Sequence, residues 1–247
     1  MSEIKRTSPV MAGIFAALML ALSALCVYLG TWQVHRLAEK VALIAAVDAR
    51  LHAPAIPAPG KTEWAKLDTN ALNFQPVTAT GVLHTEQTIR IFTSLVDGRG
   101  PASGPGYWIV APLTLADGGS IFVNRGFVPE AQSREYASRA PETVTVSGLL
   151  RPAEAAGMFT PAASAADRID WVRDPARLAA MVTPELGPFA PFYIDQAAGP
   201  TGTLPQGGET VIEFPNNHLG YAITWYGFAV VAVIMLGFWL WRQRRRG

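Results

Sequence analysis

The 247-residue chain has a single cysteine, Cys26, inside a long uncharged run. No disulfide can form within one chain, and there is no CxxC pair for redox exchange or metal binding. Charge is scarce too: 16% of residues are charged, and the formal balance is +1. Such a balance gives no general attraction to nucleic acid. The four histidines, His35, His52, His84 and His218, stand in no HxH, HExxH or HxxxH spacing, which argues against a zinc site built on one helix. There is no GxSxG element, and Ser94, Ser103 and Ser147 have no recognisable base beside them. The stretch Gly98 to Gly106 is glycine-rich, but it holds two prolines and no following Lys-Ser or Lys-Thr. It reads as a flexible loop between strands and not as a phosphate cradle. A catalytic site would have to be assembled from scattered residues, and the chain is not expected to be an enzyme.

What the chain does have is apolar length. Residues Thr7 to Val34 carry no formal charge, and MAGIFAALMLALSALCVYLG supplies the twenty or so apolar residues of a membrane span. After Glu213 the next formal charge is Arg242, and HLGYAITWYGFAVVAVIMLGFWLW is a second such run. Lys5 and Arg6 ahead of the first run resemble the n-region of a signal peptide. The run is long for an h-region, it continues into a helical pattern, and Leu25 before Cys26 is a poor lipoprotein cleavage residue, so an uncleaved anchor is the stronger reading. Arg242, Arg244, Arg245 and Arg246 follow the second run, whereas no Lys or Arg lies between Leu178 and it. By the excess of basic residues on the cytoplasmic side, both termini are expected in the cytoplasm. The expected layout is residues 1–9 cytoplasmic, 10–31 a transmembrane helix, 32–216 an extracytoplasmic β-rich domain, 217–241 a second transmembrane helix and 242–247 a basic cytoplasmic tail.

Beyond the first run, Val34, Leu37, Val41, Ile44, Val47 and Leu51 recur at three- and four-residue spacing, which predicts an amphipathic continuation of the helix. Pro54, Pro57, Pro59 and Gly60 end it. From about Phe74 the pattern is that of strands: QPVTATGVL, TIRIFTSL, YWIVAPLTL, SIFVNRGF and TVTVSGLL are short, β-branched and bounded by turn residues. Asp117, Gly118 and Gly119 predict a hairpin between the third and fourth. TVIEF is a candidate returning strand, and Asp174 with Pro175 predicts the cap and first residue of a short helix, ARLAAMVT. The class is α+β: two transmembrane helices flanking an antiparallel, barrel-like β-domain.

Three motifs could carry chemistry. His218 stands where the second run begins, and ionisable or metal-binding side chains at membrane depth are by default functional candidates. The plainer reading joins it with Tyr221, Trp225 and Tyr226 in an interfacial aromatic belt, and spacing alone leaves both open. Residues 218, 221, 222, 225 and 229 share one helix face, and the alanines among them would leave room for a flat porphyrin whose iron sits on the imidazole. Its propionates would need an arginine, for which Arg36 and Arg125 are the candidates. In LGTWQVHRLAEK, Trp32 anchors at an interface and Arg36 reaches headgroups or an acidic ligand, with His35 a candidate second axial ligand. In FVNRGFVP, Gly126 predicts a bulge or the close approach of another backbone, and Arg125 beside it needs an internal partner or a ligand.

Taken in order, LGTWQVHRLAEK, the PV and G of QPVTATG, VNRGFVP and NHLGYAITWY resemble the Surfeit locus protein 1 or Shy family of cytochrome oxidase assembly factors, here as a bacterial member. The family usually has tryptophan where this chain has Phe127, and His35 falls on a variable position. His218 falls on the family histidine, and Tyr221, Trp225 and Tyr226 on its aromatic positions. The resemblance implies a non-catalytic assembly factor of the bacterial inner membrane, with its main domain periplasmic. It would bind haem a through the His218 position or pass it to subunit I of the haem-copper oxidase. The partners it implies are oxidase subunits, other assembly factors, haem a synthase and the bilayer. The alternative is a scaffold that holds an oxidase intermediate without touching haem.

Overall fold

Pro9 to Leu51 form one continuous helix, α1. Pro9 stands at its first position, where proline is tolerated, and no other proline and no charge before Arg36 interrupts it; it ends as expected two residues short of Pro54, because the residue before proline disfavours helical geometry. At 1.5 Å per residue, a helix of 43 residues extends about 65 Å, roughly twice a bilayer's hydrocarbon thickness. The computed structural model describes residues 9–136, 140–212 and 214–245, in two units. One is a helix pair made of α1 up to Ala46 and the residues after Ile212, and the other is a β-domain from Val47 to Ile212. Lys5, Arg6, Arg246 and Glu213 lie outside the described residues. Of the stripe expected beyond the first run, Val34 and Val41 are exposed, Leu37, Ile44 and Leu51 are half-buried, and Val47 is buried. The apolar face is therefore narrower than the spacing implied.

The β-domain contains β1 (Ile56–Pro57), β2 (Pro76–Leu83), β3 (Ile89–Leu95), β4 (Gly104–Leu115), β5 (Ser120–Pro129), β6 (Glu142–Pro152), β7 (Ile169–Asp170) and β8 (Phe189–Gln196). All five expected strands are present. Their order is β1-β2-β6-β8-β5-β4-β3-β7, and the far end of β4 also pairs with β2, Leu113 to Leu115 against Gly81 to Leu83. Strands β2, β6, β8, β5 and β4 thus close into a ring, the expected barrel. The expectation that the sheet is purely antiparallel is corrected: β8 runs parallel to β5, and the two-residue edges β1 and β7 pair in parallel with β2 and β3.

The hairpin at Asp117, Gly118 and Gly119 is as expected, with Gly118 at φ +77° and the Asp117 carboxylate accepting from Gly119 N at 3.0 Å. Asp174 caps the short helix α2 (Pro175–Ala179) by accepting from Ala176 N at 3.0 Å. The candidate strand TVIEF is not one: residues 210–212 and 214 belong to no strand. The stretch from Gly98 to Gly106 is also not a loose loop. Gly104 to Gly106 join β4, and the Glu209 carboxylate accepts from Arg99 N at 2.8 Å and Gly100 N at 2.9 Å.

Two apolar clusters follow from alternation along the strands. Val77, Ala79, Leu113, Ile121, Val123, Leu150, Phe192 and Ile194 fill the ring. Phe122, Val110 and Tyr193 face the other way and pack with Ile89, Ile91 and, from α2 and just beyond, Leu178 and Met181. Burial on both faces explains why the apolar residues of β5 are consecutive, Ile121 to Val123 and Phe127 to Val128, and do not alternate with polar ones.

Candidate functional site

The helix pair is built from α1 and α3 (His218–Arg244). On α3, His218, Ala222, Trp225, Ala229, Ala232 and Leu236 are buried or half-buried at alternating four- and three-residue steps. On α1, Ser23, Cys26, Gly30, Gln33 and Leu37 follow the same alternation. That pattern is the seam of two helices packed side chain into gap. The contacts descend on one helix as they climb the other, so the pair is antiparallel. Phe15 meets Trp239 with ring centroids 4.8 Å apart, and the Ser23 hydroxyl donates to Ala229 O at 3.2 Å. The Thr31 and Tyr226 hydroxyls are 3.1 Å apart, and His218 Nδ1 is 2.8 Å from Gln33 Oε1. At Gly30 a Cβ would lie 2.9 Å from the Tyr226 ring, so a small residue is what admits the ring there.

The Gln33–His218 contact has a chemical direction. Gln33 is 8% exposed, and an amide oxygen can only accept, so His218 Nδ1 is the donor and the lone pair falls on Nε2. Among the described residues Nε2 has no partner. A histidine whose Nδ1–H is held by a buried acceptor is oriented as metal-ligating histidines usually are.

Within the helix pair the other expected residues are dispersed around this contact. Trp225 sits half-buried in the seam, edge-on to Phe228 at 6.1 Å. Tyr221 is 58% exposed and points out of the seam. Ala222 and Ala229 do not leave room for a porphyrin, because α1 occupies that face. Trp32 is exposed beside Gln33, and Arg36 Nη1 pairs with Glu39 Oε2 at 2.5 Å, both side chains more than half exposed. His35 is exposed and follows Gln33 by two residues, about 200° around the helix, so it faces away from His218. Arg125 belongs to the β-domain, where it is half-buried on β5.

In the β-domain the bulge expected at Gly126 is present. Arg125 and Gly126 together oppose Ile109 of β4, since Trp108 pairs with Phe127 and Val110 with Asn124. Gly126 has φ +131°, and the backbone of Gln206 approaches so closely that a Cβ there would lie 2.3 Å from it. Both expectations for this glycine, bulge and backbone approach, are met. Gln206 and Phe127 exchange backbone hydrogen bonds of 2.8 and 2.9 Å.

Beside the bulge lies a buried ionic cluster that sequence reasoning missed. Asp195, at the end of β8, accepts from Asn124 Nδ2 at 2.8 Å, Thr210 Oγ1 at 3.0 Å and Arg173 Nη1 at 3.3 Å, with Arg151 Nη1 at 4.0 Å. Asn124 Oδ1 in turn accepts from Gly126 N at 3.2 Å. Arg173 lies over the rings of Trp108 and Tyr193 at 5.3 and 5.2 Å and is held from its far side by Glu154. Burial pushes the Glu154 carboxyl up, but the charge and hydrogen bonds of Arg173 outweigh it and hold the group below the usual carboxylate range. Two arginines balance two carboxylates, and the cluster is architectural. The signal that could have found it was an aspartate inside an apolar strand, which costs too much to bury unpaired.

The SURF1 family model matches residues 20–230, from within α1 to within α3. The chain belongs to the SURF1 family. The SURF1-like protein of Monosiga brevicollis is 32% identical to it over 235 residues, covering 89% of this chain and 84% of that protein. Surfeit locus protein 1 of Homo sapiens is 31% identical over 220 residues, covering 81% and 69%, and that of Mus musculus 29% over 232 residues, covering 87% and 71%. The stretch matched by the family model holds both Gln33 and His218 and the whole β-domain, so membership in the SURF1 family extends to both units.

Proposed function

We propose that this SURF1-family chain is an assembly factor for haem-copper cytochrome c oxidase that carries haem a as cargo to subunit I, with His218 as the axial ligand. Family membership supports the assembly role. The observation that carries the haem step is the buried Gln33 oxygen holding His218 Nδ1–H, which presents Nε2 as a free lone pair. The cargo would approach from the flank on which Tyr221 is exposed, since α1 covers the alanine face. Arg36 is suited to meet a propionate: its pair with Glu39 is exposed, and such pairs are worth only about 0–1 kcal/mol, so exchange for a carboxylate ligand costs little. Trp32 and Trp225 flank this region as apolar and aromatic contacts. No turnover is involved.

In this proposal the two helices, both long and apolar enough to cross a bilayer, span the inner membrane of a bacterium. Both termini are cytoplasmic by the arginines after α3, and residues 32–216 are periplasmic, where other assembly factors and haem a synthase would be met. A scaffold role without haem is favoured by one observation, the closed seam over Ala222 and Ala229.

The test is the absorption spectrum of the detergent-purified chain, co-expressed with the enzymes that make haem a. A reduced haem a band is expected in the wild type, lost in His218→Ala, with affinity about 10–100-fold weaker in Gln33→Leu. Colourless wild-type and variant proteins that still co-purify oxidase subunits would overturn haem carriage and leave the scaffold.

A further inference from the structure

Three arginines remote in sequence converge on one open depression of about 340 Å³ in the β-domain, walled by Thr88, Arg90, Arg134, Ala166, Asp167 and Arg168. The fold brings each there by a separate route. Arg90 is on β3, whose parallel pairing with β7 sets it opposite Ile169, the neighbour of Arg168. Arg134 comes from the 3₁₀ turn Glu130–Tyr136 after β5, whose Ser133 hydroxyl is 3.5 Å from Arg90 Nη1.

None of the three guanidinium groups is saturated. Arg90 lies over the Tyr107 ring at 5.3 Å, and its two hydrogen bonds, to Ser133 Oγ and Asp167 O, are long at 3.5 and 3.4 Å. Arg168 donates from Nη1 to Glu86 O at 2.6 Å, and its backbone is held at φ +50°, a region non-glycine residues rarely occupy. Arg134 makes no hydrogen bond or ion pair among the described residues. Among the described residues the one acidic group in the wall, Asp167, has its Oδ2 taken by the Ser164 hydroxyl at 2.7 Å. Among the described residues three positive charges against one negative leave an excess of two.

We propose that this depression binds a phosphate monoester dianion, either free or as a phospholipid headgroup. Forked guanidinium donors from three directions suit the oxygens of a tetrahedral group, and a dianion neutralises the excess where a single carboxylate would not. The site is independent of His218 and of the haem proposal.

The experiment is equilibrium dialysis of labelled inorganic phosphate against the full chain in phosphatidylcholine nanodiscs. Saturable binding is expected, with a dissociation constant of about 1 mM or tighter. Arg134→Gln should weaken it about tenfold or more, since charge-assisted hydrogen bonds are lost from a side chain the fold does not use. Arg90→Lys, which keeps charge but loses the fork, should also weaken it, while the exposed Lys66→Gln should not. If nanodiscs containing phosphatidic acid abolish phosphate binding, and phosphatidylglycerol discs of matched charge do not, the source is a headgroup. Binding retained in both identifies a soluble phosphate ester. Absence of saturable binding in phosphatidylcholine discs, or equal binding in Arg134→Gln and Lys66→Gln, would overturn the site.

Discussion

Asp195→Ala is expected to lower the stability of the β-domain by about 3–5 kcal/mol, the range found when one partner of a buried ion pair is deleted. Asp195 is 4% exposed and is the acceptor shared by Asn124, Thr210 and Arg173. Its removal leaves Arg173 with one carboxylate instead of two, and Arg151 facing no carboxylate in the cluster. It also frees the Asn124 amide that ties the bulge to β8. Asp195→Asn keeps the shape but not the charge and should recover part of the loss. The measurement is a denaturant titration of the full chain in detergent, read by hydrogen exchange in β5 and β8 peptides. A loss under 1 kcal/mol for Asp195→Ala would show the cluster to be solvated and not structural.

The same cluster sets an acid limit. Glu154 ionises more readily in the folded chain than its ordinary value of 4.5, so its contribution is fully present above that value. It is lost as pH falls through the lower folded value. Unfolding should therefore become easier below about pH 4.5 in the wild type, and this part of the dependence should be absent in Glu154→Gln.

Much of the β-domain was legible because its strands obey local rules. β-Branched runs mark β2 to β6, Asp117-Gly118-Gly119 marks the turn, and Asp174-Pro175 marks the start of α2. Strand β8 was not legible, although it sits in the middle of the ring. Pro191 lies inside FAPFYIDQ and has no N–H to give, which demotes a segment read alone. The fold accommodates it through an irregular ladder: Ser120 of β5 pairs with Phe189 and Phe122 with Tyr193, so on the β5 side residues 190 to 192 of β8 face only Ile121. The site divides in the same way. Periodicity placed His218, Ala222, Trp225 and Ala229 on one face, but it could not say that α1 fills that face or that Gln33, 185 residues away, holds the imidazole. The small residues Ser23 and Gly30 on α1, matched to Ala222 and Ala229 on α3, were the available signal for close helix packing.

Gly126→Ala should be a severely damaging single-methyl change in the β-domain. Two costs act together. At φ +131° any L-residue is strained, by roughly 1–3 kcal/mol. The new Cβ would also meet backbone, 2.3 Å from Gln206 C and O and 2.5 Å from Gly207 N, which no rotamer change can relieve. The segment from Gln206 must then move, and it carries three sets of hydrogen bonds. These are the exchange with Phe127, the Gln206 side chain on Ala102, and the Glu209 carboxylate on Arg99 and Gly100. Gly118→Ala separates the two costs, because Gly118 has φ +77° but nothing within 4 Å of a Cβ. The hairpin variant should lose about 1–2 kcal/mol, the cost of the left-handed backbone alone. Gly126→Ala should lose at least about 3 kcal/mol and expose the 98–102 segment to rapid hydrogen exchange. Equal losses in the two variants would mean that the Gln206 segment yields freely, and that glycine is needed at the bulge for its backbone angle and not for the approach of a second chain segment.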